Sequence, residues 1–140
     1  MSVRAKEKEI VEEFSMFDDW DSKYEYIIDL GKELPLIDPA FKNDDYRIKG
    51  CQSQVWLHAE IKDGKLFFTA DSDAIITKGI IALLVRVFNE EAPDEIVNTD
   101  LQFINEIGLN QHLSPTRSNG LLSMIRQMKL YALASQAKKD

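Results

Sequence analysis

Apolar residues recur at helical spacing toward both ends of the chain and alternate with polar ones in its middle. Over residues 4–17, Ile10, Val11, Phe14 and Phe17 fall on one side of a 3.6-residue period, which predicts an amphipathic helix. Asp18-Asp19 supplies the cap of a second helix, with Trp20, Tyr24, Ile27, Ile28 and Gly31 on one face and Pro35 as its stop. Pro35 to Asp45 reads as a surface connection rich in Pro, Asn and Asp. The period then changes to two. Val55, Leu57, Ala59 and Ile61 alternate with Gln54, Trp56, His58, Glu60 and Lys62, the pattern of a half-buried strand. Asp63-Gly64 is a two-residue hairpin signal, and Lys65 to Ala70 is the returning strand. That turn sets Lys62 opposite Lys65, Ile61 opposite Leu66, Ala59 opposite Phe68 and Leu57 opposite Ala70, apolar on apolar after the first pair. Tyr46 to Lys49 is expected to add a third strand through a tight connection at Gly50-Cys51-Gln52.

Ile75 to Phe88 is the most apolar segment and predicts a central buried helix, capped by Asp71, Ser72 or Asp73. Short helical pieces follow over residues 93–107. A last helix begins near Ser114-Pro115, or at Ser118, and runs to about Ala137. The sum is the α+β class, a small antiparallel three-stranded sheet flanked by N- and C-terminal helices in one domain over residues 1–140. Trp56 and Phe67 fall on the polar side of the strands, so a helix of the same chain, or else a partner, is expected to cover that side.

Composition narrows the function. The chain has 140 residues, with 17 basic and 24 acidic side chains and a net charge of −7. That field argues against nucleic acid or an anionic membrane as main partner. The longest clean apolar run, Gly79 to Val85, is far short of the roughly 20 residues of a membrane helix. The charged N-terminal stretch shows no secretory signal, and the solitary cysteine fits a reducing compartment, so a cytoplasmic protein is expected. No metal-ligand spacing, CxxC, GxSxG or phosphate-cradling loop is present, and no cofactor is expected.

Chemistry then rests on Cys51, between Gly50 and the polar Gln52-Ser53-Gln54. A single cysteine is often a small buried hydrophobe, but these neighbours suit a surface turn. The strand register carries Cys51 toward the start of the helix near Ala74, where free N–H groups favour a thiolate. Arg47 and Lys49 add to this, whereas Asp71 and Asp73 oppose it, and the balance is open.

Gly50-Cys51-Gln52-Ser53-Gln54-Val55-Trp56 closely resembles the cysteine motif of the SufE proteins, the sulfur acceptors of iron–sulfur cluster assembly. Asp71-Ser72-Asp73-Ala74, Lys78-Gly79, Gln111-His112-Leu113, Arg117-Ser118 with Gly120, and the helix from Trp20 to Leu34 are similar in the same order. The resemblance implies a compact α+β fold shared with IscU-type scaffolds and a pyridoxal-phosphate cysteine desulfurase as partner. Cys51 would take persulfide sulfur from that enzyme, stimulate it and pass sulfur to a cluster scaffold; Gly50, Gln52 and Ser53 would meet the partner. Three cysteines would be needed for a scaffold of the usual thiolate kind, and the chain has one.

Other candidates have plainer roles beside the chemical ones. Asp73 caps a helix or holds the Cys51 loop. His112 shuttles a proton or ties a loop. Arg117 contacts the desulfurase or pairs with a carboxylate. Two further functions compete: a module that docks on a desulfurase without carrying sulfur, and a thiol hydrolase using Cys51 with His112, for which no acid partner or oxyanion device is evident.

Overall fold

The computed structural model describes residues 2–137. Helices α1 (Val3–Phe14) and α2 (Trp20–Gly31) come first, and a hairpin of β1 (Val55–Lys62) and β2 (Lys65–Ser72) lies mid-chain. Helices α3 (Ile75–Phe88), α4 (Pro93–Asn98), α5 (Phe103–Glu106), α6 (Leu109–His112) and α7 (Pro115–Ala137) follow. Both first helices are capped by side chains. Ser2 Oγ accepts from the Ala5 N–H at 3.1 Å, and the Asp19 carboxylate accepts from the Ser22 N–H at 2.7 Å. The buried Glu7 carboxylate interrupts the apolar face of α1 for a reason: it accepts from the Gln102 and Phe103 N–H groups at 2.7 and 2.9 Å, at the start of α5.

The hairpin has the expected register, Leu57 opposite Ala70 and Ile61 opposite Leu66. Asp63 and Gly64 have φ of 54° and 78°, the left-handed pair that matches strand twist. The third strand expected over Tyr46–Lys49 does not form among the described residues; the sheet has two strands. Tyr46 closes a 3₁₀ turn capped by Asn43, and Gly50 bends the chain at φ 93°. Between these turns only a bridge fits, Arg47 opposite Trp56, with the Ile48 N–H donating to the Val55 carbonyl at 2.7 Å.

Among the described residues no α-helix packs on the outer side of the sheet. The connection over residues 36–46 lies there instead. Phe41 stacks on His58 with ring centres 4.1 Å apart, and the Lys42 ammonium sits 4.8 Å from the Trp56 ring centre. Leu36 bridges to Ala70 and Glu91 to Leu66, so the free edge of β2 is partly paired.

Helix α3 fills the core, packed on β2, α1, α2 and α7. Its approach to α2 is backbone on backbone: a Cβ on Gly79 would lie 2.1 Å from the Ile27 carbonyl oxygen. The expected cap of α3 is corrected. Its N-cap position is Ala74, with no side-chain cap bond. Asp71 and Asp73 are engaged elsewhere, and Ser72 Oγ accepts from the Ala74 N–H at 3.2 Å. Gly79→Val is expected to cost about 3 kcal/mol or more, because the close-packed helices must separate. Urea unfolding measures it; a cost under about 1 kcal/mol would refute the tight crossing.

Candidate functional site

The Cys51 loop is fixed at both ends. At its start Gly50 has φ 93°, a backbone conformation that favours glycine, and a Cβ there would fall 2.5 Å from Ser123 Oγ of α7, whose hydroxyl would have to turn aside. At its end, the Asp73 carboxylate accepts from the Gln54 N–H at 3.0 Å, and the Asp73 N–H donates to the Gln54 carbonyl at 3.2 Å. Asp73 therefore clamps the loop to the start of α3 rather than capping that helix.

Between these anchors Cys51 is half-buried, and its thiol donates to the Gly120 carbonyl of α7 at 3.6 Å. It borders a hollow of about 80 Å³ with Gln52 and Ser53, walled by Thr77 and Ile80 of α3 and by Arg117 and Gly120 of α7. The expected approach to the start of α3 is present, and the start of α7 adds a second wall. Gly120 leaves room: a Cβ there would lie 3.5 Å from the sulfur. Burial pushes the Cys51 thiol above its ordinary range, so desolvation decides the balance that the sequence leaves open.

The neighbouring charges are turned away. Arg47 and Lys49 line a separate hollow with Ser123 and Arg126, not the one holding Cys51. Asp71 pairs with Lys42 at 2.9 Å and Lys78 at 3.2 Å. Burial raises its carboxyl, but hydrogen bonds from Lys42, the Ser72 N–H and Lys78 outweigh this and hold it below the usual range. Arg117 lines the Cys51 hollow from an exposed position. His112 does not. Its ring stacks on Trp20 with centres 3.9 Å apart, and its carbonyl accepts from the Tyr24 hydroxyl. The Cys51–His112 pairing considered for a hydrolase is therefore not assembled.

Thr77, Ile80, Thr116 and Met124, the remaining helix residues at the hollow, were not singled out by sequence. Gly120 carried a signal, since glycine inside a long helix costs about 1 kcal/mol and marks close packing. Among the described residues no group of three or more His, Cys, Asp or Glu side chains is placed to hold a metal ion.

A small α+β protein with one cysteine in a helix-walled loop is the class that fold and site define. The family described as "SufE: Fe-S metabolism associated domain" matches residues 8–132, and the chain belongs to this SufE family. An uncharacterized SufE-like protein of Rhizobium meliloti (strain 1021) is 40% identical over 126 residues, covering 86% of this chain and 90% of the relative. The fold is also that of a hypothetical protein from Thermus thermophilus solved in solution. It aligns with a TM-score of 0.79 over 94% of this chain and 96% of that one, at 19% identity. Family membership supports a role in iron–sulfur metabolism as an accessory protein. No helix among the described residues is long and apolar enough to cross a membrane.

Two outcomes follow from this geometry. Alkylation of Cys51 by iodoacetamide should rise with pH to a midpoint above that of a free thiol, about 8.5, and return to that value in denaturant. Because the folded state keeps the thiol neutral, the unfolded chain ionises first. Its stabilising share is present below the unfolded pKa and is lost as pH rises through the folded one. A midpoint at or below the free-thiol value would contradict the burial. Asp73→Ala removes a loop hydrogen bond of about 1 kcal/mol and should speed alkylation about five-fold. An unaltered rate would show that the loop is not held there.

Proposed function

We propose that the chain, acting as one domain, is a sulfur carrier, with Cys51 as the atom-bearing group and a pyridoxal-phosphate cysteine desulfurase as donor. The observation that carries this reading is the sole cysteine of a SufE-family chain, set on a glycine-hinged loop beside a small hollow. The hollow of about 80 Å³ exceeds the roughly 10–15 Å³ one water needs, so a second sulfur on Cys51 has room beside Gly120.

The step is a thiol–persulfide exchange. The Cys51 thiolate attacks the outer sulfur of the desulfurase persulfide, a new S–S bond forms on Cys51, and the donor's S–S bond breaks. The desulfurase cysteine leaves as a thiolate and takes up the proton that Cys51 gave. Oxidation states balance, since one sulfane sulfur is moved. A cluster scaffold receives it in the next exchange. Gly50, Gln52 and Ser53 meet the donor as the loop enters its site, Asp73 sets the loop's rest position, and Arg117, exposed on the rim of the same hollow, contacts the desulfurase. The raised pKa of the resting thiol supports a carrier that ionises when the loop leaves its hollow. A cytoplasmic location suits a free thiol that must stay reduced between loads.

The test is direct. Incubated with a cysteine desulfurase and free cysteine, the protein should gain the mass of one or more sulfur atoms, and Cys51→Ser should gain none. Desulfurase turnover should rise with the wild type and not with the variant. No mass gain in the wild type refutes sulfur transfer; full stimulation by Cys51→Ser would assign the chain to docking alone.

A further inference from the structure

Helix α7 presents apolar side chains on two opposite sides. Leu121, Met124, Met128 and Ala132 are buried in the core, while Leu122, Leu130 and Leu133 are exposed by 57%, 50% and 52%. A surface helix ordinarily carries one apolar stripe, and a helix apolar all round is ordinarily covered all round. The exposed leucines join Val97 of α4 in a groove of about 380 Å³. From Leu122 to Leu133 it runs about 16 Å, three helical turns.

Charge indicates the occupant. Ile125, Arg126 and Lys129 complete the lining, and no carboxylate does. Helix α7 has no acidic residue in 23 positions, in a chain that holds 24. Lys129 is held in place by donating to the Thr99 carbonyl at 2.6 Å. Gly120, which meets Cys51, precedes Leu122 by two positions, or about 200° around the helix. Groove and thiol therefore face opposite ways.

We infer that the α4–α7 groove docks an acidic amphipathic helix of a partner protein. The partner's apolar stripe lies on the three leucines and its carboxylates meet Arg126 and Lys129. A second copy of this chain fits poorly, because a two-fold pairing of α7 on α7 sets these cations against each other. An anionic membrane would meet a chain of net charge −7. Docking here leaves the Cys51 loop free, so this surface stands whether or not Cys51 carries sulfur.

The experiment is an amide NMR titration of the full chain with a synthetic helix. The peptide has leucines at positions i, i+4, i+7 and i+11 and glutamates on both flanks. Shifts should cluster in α4 and over residues 122–133 and spare the Cys51 loop. Arg126→Glu should weaken binding about ten-fold and admit a lysine-flanked counterpart of the peptide. Leu130→Ser with Leu133→Ser should abolish it, with thermal midpoint and Cys51 alkylation rate unchanged. Absence of shifts, or equal binding of both peptides by the unaltered chain, overturns the inference. So does a dimer in sedimentation velocity that the leucine variant loses, which would assign the groove to a second copy. Adsorption to phosphatidylcholine–phosphatidylglycerol vesicles that the same variant loses would assign it to a membrane, with the same consequence.

Discussion

The contact of α3 with α2 at Gly79 and Ile27 constrains everything around it. With no side chain between them, the two helices approach backbone to backbone, and the position of α3 along its own axis has little freedom. Thr77 and Ile80 flank Gly79 on the same helix and wall the hollow at Cys51. The start of α3 also carries Asp73, whose carboxylate holds the far end of the cysteine loop. A packing decision in the core thus sets the size of the hollow and the rest position of the loop. The second wall, α7, meets the loop through looser contacts, with Gly50 against the Ser123 side chain and Gly120 facing Cys51.

Features settled by short-range pattern were readable from the residues. Asp63-Gly64 and the flanking alternation define one register, and β1 and β2 adopt it. The apolar run of α3 and the cap at Asp19 are local in the same sense. Features settled by tertiary geometry were not. Tyr46 to Lys49 has strand composition, but a turn at each end leaves space for a single bridge. Asp73 sits where a cap is expected, yet short carboxylates bond whichever N–H is presented, and here its partner is the Gln54 N–H. Cys51 itself was identified from its polar neighbours and its family motif, while its ionisation depends on burial between two helices, which no local window contains. His112 shows the converse: its motif is similar to the family's, but its ring is spent on Trp20.

The resting loop and the proposed transfer make opposite demands. Reaction needs an ionised, reachable sulfur, whereas the hollow keeps the thiol neutral and half-covered. The tethers are few and weak. The two Asp73–Gln54 bonds, one through the carboxylate and one through the backbone, and a long thiol–carbonyl contact are together worth about 2–5 kcal/mol. A partner that binds the extended loop better than the tucked one by that amount shifts the balance, and no deformation of the core is required. Gly50 supplies the backbone freedom at the hinge, and the helices behind it do not need to move. In the proposed cycle the same few kilocalories would protect an unloaded thiol between encounters, so a tighter loop would gain protection and lose transfer rate. Stability of the scaffold and mobility of the sulfur are therefore set by separate contacts, the first at Gly79 and the second at Asp73.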